Sequence, residues 1–272
     1  MEANTRFTAA LTAAVLLLCY ASTLRGMYFQ WMNDEDMSHG VLVPAVALWV
    51  VWRERAVWRS RPAEPSGLGW VLLAMGAGLH LAGVLGGGLF ASSVAFLLSL
   101  IGAIICLGGW VRLRQWAFPL LLLVFMLPKL AFVYNQVTLP LQFLASRLAA
   151  FLLAITGFGV IRSGNILEVG GRSIAVAEAC NGIRFLLPLG FVAVLLGDLT
   201  RSKVWTRLAL VLTAVPLAIL ANGVRVAAAG AVPALSDGTP HLVSGWIIFA
   251  ACIAVFLLTA WLFDTLESRF HA

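Results

Sequence analysis

The chain has 272 residues, 61% of them hydrophobic and 11% charged, with a formal net charge of +6. Soluble domains average about 25% charged residues, so a water-soluble fold of this size is excluded by the apolar surface it would have to hide. The basic excess sits in short loops between apolar runs, which sets membrane topology and argues against nucleic acid as a partner.

With the bilayer as solvent, only helices or a closed barrel can span. Barrel strands alternate apolar and polar residues over about ten positions. The runs here are continuous and longer, so helices are expected. They lie at 7–28, 40–52, 68–88, 90–110, 116–134, 137–160, 180–197, 208–232 and 241–263. Arg6 precedes the first run and marks an inside N-terminus. No small-x-small cleavage site follows, so the run reads as a helix and not a signal peptide. Asp34, Glu35 and Asp36 form an outer loop. Inner loops carry Arg53, Arg55, Arg59 and Arg61, then Arg112 and Arg114, then Arg201, Lys203 and Arg207.

Parity then selects a topology. If 137–160 crossed, the third basic loop would fall outside, against the positive-inside rule. Pro140, Gln142 and Arg147 in that run suit an interfacial helix. The expectation is an all-α, polytopic transmembrane helical bundle of about eight spans, a single integral membrane domain over 1–272, with 135–179 on the outer side. Within that region, NILEV and RSIAV flank Gly170-Gly171, a turn pair that accepts positive φ, and predict a short extracytoplasmic β-hairpin ending at Cys180. Cys19, Cys106 and Cys252 lie inside apolar runs and read as small buried hydrophobes. Cys180 stands at a boundary beside polar residues.

Three groups converge at one depth under this topology. Cys180 begins the seventh span from outside, and His241 begins the eighth just after Gly238-Thr239-Pro240. Arg225 is 18 residues beyond Arg207, or about 27 Å along a helix, nearly the hydrocarbon thickness. A thiol reacts as its thiolate, favoured by a helix start and a nearby cation such as Arg184. His241 can take a proton and return it to a leaving amine. Arg225 can hold an oxyanion or a carboxylate, and Asn222 lies one turn away to orient it. A structural cysteine and a snorkelling arginine are the plainer alternatives, set against the tendency of intramembrane ionisable groups to carry function.

The stretches EACNGIR (178–184) and LANGVR (220–225), with His241 followed by Gly245-Trp246, resemble the exosortase/archaeosortase family. So do Trp31…Ser38-His39-Gly40 and RQWAFP…LP (114–128). Asn181 stands where that family more often has Ser. The resemblance implies a polytopic inner-membrane enzyme with its active site facing the periplasm. It implies a cysteine transpeptidase or endopeptidase acting through a thioester. Its substrates would be C-terminal sorting signals of a Pro-Glu-Pro motif, an apolar helix and a basic tail, transferred to a cell-envelope acceptor in exopolysaccharide and envelope biosynthesis. By position Cys180 is then the nucleophile, Arg225 the catalytic arginine and His241 the third member.

A substrate glutamate beside the membrane would meet Arg184, Arg225 or Lys129. Lys129 otherwise snorkels from the outer end of its span. Glu178 either orients His241 or is a hairpin surface residue. His39, with Trp31 and Asp36, reads as a structural or substrate-entry position, with membership of the site as the alternative. No H-E-x-x-H or paired-cysteine spacing supports a metal, and neither a metal nor a cofactor is expected. Membrane lipid is the other expected partner. A transporter or channel, and a non-catalytic subunit of exopolysaccharide export, are the competing classes. A transporter should show paired interrupted helices in matching halves, and the sequence has no such symmetry.

Overall fold

The computed structural model describes residues 2–86, 88–176, 182–200, 203–236 and 238–270. They form two compact units, Met1–Leu130 and Ala131–Ala272.

The first unit opens with α1 (Glu2–Cys19) and α2 (Ala21–Asn33), whose apolar parts meet at 67°. The bend falls at Tyr20. Its hydroxyl lies 2.8 Å from Ser99 Oγ and 3.2 Å from the Ala95 carbonyl, and its ring lies against His80 at 4.3 Å. A 3-10 turn (Glu35–Val41), α3 (Leu42–Arg53) and α4 (Arg55–Arg59) lead to α5 (Leu68–Leu85) and α6 (Leu89–Gln115). The last two are antiparallel, and Gly69, Gly76 and Gly83 recur every seventh residue along the buried side of α5. At Gly76 a Cβ would overlap Ser99 Oγ, so glycine is what lets the backbones approach. α7 (Ala117–Leu122) and a 3-10 turn (Leu123–Met126) complete the unit. Guanidinium groups stack on indoles at one end: Arg53 on Trp49, Arg55 on Trp52, and both Arg59 and Arg112 on Trp58.

The second unit contains α8 (Ala131–Ile155), strands β1 (Val160–Ser163), β2 (Ile166–Val169) and β3 (Arg172–Ala175), then α9 (Ile183–Leu199), α10 (Val204–Ala231), a 3-10 turn (Pro233–Leu235) and α11 (Gly238–Phe270). Its helical core joins Phe185, Leu189 and Ala193 of α9 to Leu210, Ala214 and Ala218 of α10 and to Cys252 and Phe256 of α11. The expected hairpin is β2–β3. Gly170 (φ 57°) and Gly171 (φ 77°) form its turn, as two-residue hairpin loops require. β1 adds a third, unanticipated antiparallel strand. Leu167 and Val169 seat the sheet on Ala145, Ala149 and Leu153 of α8 and on Val226 and Ala227 of α10.

The run 137–160, expected to lie in the plane of the outer face, falls largely within α8, whose length and composition would also suit a span. α8 is 25 residues long and apolar enough to cross a membrane. It runs parallel to α10, because Gly223 packs on Leu148 and Gly230 on Leu153, with both numbers rising together. Of the residues that argued for the headgroup region, Gln142 faces the sheet, while Pro140 and Arg147 are exposed. Gln142 is buried and accepts from Asn165 Nδ2 at 3.2 Å, and Ser146 Oγ donates to the Gly164 carbonyl at 3.0 Å.

Among the described residues five helices are long and apolar enough to span, and the bent pair of α1 and α2 would make a sixth. Three of the eight runs expected to cross form shorter helices. α3 has 12 residues and α9 has 17, about 18 and 26 Å long against about 30 Å of hydrocarbon. The run at 116–134 yields the short apolar stretch Ala117–Met126. Of the three cysteines expected inside the apolar core, Cys252 is buried, Cys106 is half-buried and Cys19 is exposed. A helix face turned to lipid leaves a thiol uncovered without a hydration cost, so burial against protein is not needed there.

Candidate active site

α10 carries Asn222 and Arg225 on its buried side, and both are only 2% exposed. The Arg225 guanidinium has Phe185 of α9 beneath it, 5.7 Å from the ring centre. Its Nη2 lies 2.6 Å from His241 Nε2. The other ring nitrogen, Nδ1, lies 2.8 Å from the Leu235 carbonyl. An arginine only donates, so Nε2 accepts and Nδ1 must carry the proton that Leu235 receives. The pair of contacts therefore fixes one neutral tautomer of His241.

Local sequence explains the placement. α10 ends at Ala231, and Pro233 starts the 3-10 turn that presents the Leu235 carbonyl. Gly238 (φ 69°) opens α11, which puts His241 in its first turn and Gly245 one turn deeper. A Cβ on Gly245 would sit 3.7 Å from Arg225 Cζ, in ordinary contact. Across the bundle, Gly182 caps α9 with φ 85°, and a Cβ there would lie 3.6 Å from Asn222 Nδ2. Arg184 is half-buried in the first turn of α9.

Of the residues the sequence singles out, Asn222, Arg225 and His241 meet at the sheet-bearing end of the second unit. Cys180, Glu178 and Asn181 lie outside the described residues. His39 and Lys129 belong to the first unit. There His39 Nε2 lies 3.1 Å from the Phe125 carbonyl, and Trp31 Nε1 donates to the Met126 carbonyl at 3.0 Å. Lys129 Nζ, where snorkelling was the plain expectation, sits 2.7 Å from Asp34 Oδ2 and 3.0 Å from Asp36 Oδ2. Burial works against its charge, but the hydrogen bonds and charges of the two aspartates outweigh it and raise the ammonium pKa. Burial pushes His39 the other way, towards its neutral form.

Sequence reasoning missed the Leu235 carbonyl as the partner that orients His241, because a backbone group has no residue letter. It also missed Asp34 as a partner of Lys129, and the role of Gly40, where a Cβ would come within 2.5 Å of the Trp31 indole.

No curated protein and no solved structure matches the chain. The family model of the transmembrane exosortases matches residues 31–258. That span takes in Trp31, the 178–184 stretch, Asn222, Arg225 and His241. With most of its length matched, the chain belongs to the transmembrane exosortase family.

Proposed function

We propose that this membrane protein is a cysteine transpeptidase that cleaves C-terminal sorting signals at the periplasmic face of the inner membrane and passes the acyl group to a cell-envelope acceptor. The observation that carries the reading is the buried Arg225–His241–Leu235 chain of contacts at 2.6 and 2.8 Å. Gly182, two residues after Cys180, is seated against Asn222 one turn away, and two residues of extended chain reach about 7 Å. At the far end of the unit, Gly197 packs on Arg207. The positive-inside rule turns that basic end, with Lys203, to the cytoplasm and the Arg225 end outward.

In the proposed reaction the Cys180 thiol gives its proton to His241 Nε2, and the sulfur attacks the scissile carbonyl. Negative charge moves to the carbonyl oxygen and is held by Arg225, whose guanidinium turns from the imidazole to the oxyanion. His241 returns the proton to the leaving amine as the C–N bond breaks, leaving a thioester. The acceptor nucleophile then attacks that thioester and restores the thiol. The Leu235 carbonyl keeps Nδ1 protonated throughout, so Nε2 is the nitrogen that exchanges protons. Arg184 is assigned to a substrate carboxylate, and Asn222 to orienting Arg225. Glu178 and Asn181, flanking the nucleophile, complete the supporting set.

The test is cellular. A reporter ending in Pro-Glu-Pro, an apolar helix and a basic tail is expected to be shortened by the wild type and left intact by Cys180→Ser. Undiminished shortening by that variant overturns the reading.

A further inference from the structure

Among the described residues the three-stranded sheet has an unpaired edge, β3, which ends five residues before position 180. The two-residue turn makes Val169 and Arg172 the hydrogen-bonded pair that closes the β2–β3 hairpin. Alternation along an antiparallel ladder then makes Leu167 and Ile174 the next such pair. The register is fixed independently one step further on, where Val176 N donates to the Asn165 carbonyl at 2.8 Å. Arg172, Ile174 and Val176 therefore spend their backbone groups on β2. The N–H and C=O groups of Ser173 and Ala175 point the opposite way.

Strand order β1-β2-β3 makes that opposite side an edge. Among the described residues no strand pairs with it. Natural sheets blunt such edges, because a row of open N–H and C=O groups is a template for another strand. Here Arg172 and Ser173 are exposed, and no described residue binds the Arg172 guanidinium. On β1, by contrast, Arg162 donates to the Gly164 carbonyl at 2.7 Å. The β3 edge thus offers two backbone docking residues and an open cation. From Ala175, five residues of chain run to Cys180.

We propose that an extended, carboxylate-bearing peptide adds to β3 as a fourth strand, hydrogen-bonding the backbones of Ser173 and Ala175 and presenting its carboxylate to Arg172. Strand addition of this kind takes affinity from main-chain bonds and specificity from side chains. The identity of the peptide, the segment just before the membrane helix of a sorting signal, rests on the transpeptidase reading. The pairing itself is a property of the sheet.

The experiment measures binding of a fluorescent peptide carrying the Pro-Glu-Pro segment, without its apolar helix, to the full chain in lipid nanodiscs. A Cys180→Ser background prevents turnover. Ser173→Pro and Ala175→Pro each remove an edge-facing N–H without touching the ladder to β2. Each is expected to weaken binding about three- to tenfold, the range of one backbone hydrogen bond. Ser173→Ala should bind as the parent, and Arg172→Glu should lose affinity together with its salt dependence. A second arm leaves the protein untouched and N-methylates the peptide one amide at a time. Losses at every second residue support strand addition; losses at none, or equally at all, overturn it. Parent-like binding by both proline variants, or no binding at all, also overturns it. The two ideas fail separately. Reporter cleavage that survives Cys180→Ser removes the transpeptidase reading, whereas cysteine-dependent cleavage without the alternating pattern removes only the docking.

Discussion

Among the described residues each unit holds a knot of polar groups around a cation, and the two are built on different principles. In the first, Lys129 sits between Asp34 and Asp36, while Trp31 and His39 reach the carbonyls of Met126 and Phe125. One ammonium is shared by two carboxylates, and Gly40 lets the indole close over the turn. In the second, a guanidinium meets a neutral imidazole. That contact satisfies one donor and one acceptor. A charge-paired knot resists rearrangement, because opening it exposes two ions. A cation held on an imidazole can trade that contact for a better one when an anion arrives. The first arrangement suits a clasp, and the second suits chemistry.

The largest effect should come from Arg225→Lys. Lysine keeps the charge but not the planar fork that reaches the imidazole and an oxyanion together. Reporter processing in cells should fall by about 10² or more, with the amount of folded protein little changed. A variant that still processes at near wild-type rate would make the Arg225–His241 pair as structural as the Lys129 knot and erase the contrast.

Lys129→Met should act in the opposite sense. It leaves Asp34 and Asp36 facing one another beside apolar helices, so unfolding in detergent should come earlier by about 1–3 kcal/mol. That range sits below the fully buried case because the side chains of Lys129 and Asp34 are 20% and 25% exposed. Processing per folded molecule should hold. A drop in turnover with unchanged thermal stability would move Lys129 from the clasp to the substrate.

A pH effect belongs to the same knot. Burial lowers the His39 pKa, although the Phe125 carbonyl and Asp36 oppose the shift. The unfolded chain therefore binds a proton at a higher pH than the folded one. The stabilising contribution is present above the ordinary histidine value of 6.5 and is lost as pH falls through the lower folded-state value. His39→Gln keeps a donor for the Phe125 carbonyl and does not titrate, so its melting temperature should vary less between pH 7 and 5 than the parent's. Equal slopes for the two proteins would remove His39 as the source.

These contrasts also mark what the sequence could and could not reveal. The apolar runs and the Gly170-Gly171 turn were legible because each follows from local rules. Arg225 and His241 were legible as a pair because helix rise converts sequence distance into depth. The course of α8 was not. Gln142 looks like a headgroup ligand until its partner, Asn165, is known, and that partner lies in the turn between β1 and β2. β1 was missed because Arg162 and Ser163 mask its alternation. Lys129 read as a snorkelling cation because nothing in its neighbourhood announces aspartates more than ninety positions upstream.

The smallest expected effect tests the space around the second knot. At Gly245 an added Cβ would meet Arg225 Cζ and Nε at 3.7 Å, within normal van der Waals contact. Glycine within a helix costs about 0.5–1 kcal/mol relative to alanine, so Gly245→Ala should leave stability unchanged or slightly raised. If Arg225 stays on His241 throughout the cycle, processing should be unchanged as well. If the guanidinium must swing away from the imidazole to meet an oxyanion, the methyl group lies beside the path of Nε and Cζ. Turnover should then fall a few-fold while the half-saturating reporter level stays put. A stable, fully active Gly245→Ala would confine any movement to the side of Arg225 that faces Phe185. A stable but slowed one would locate it over α11, where the clasp of the first unit has no counterpart because its ions have nowhere better to go.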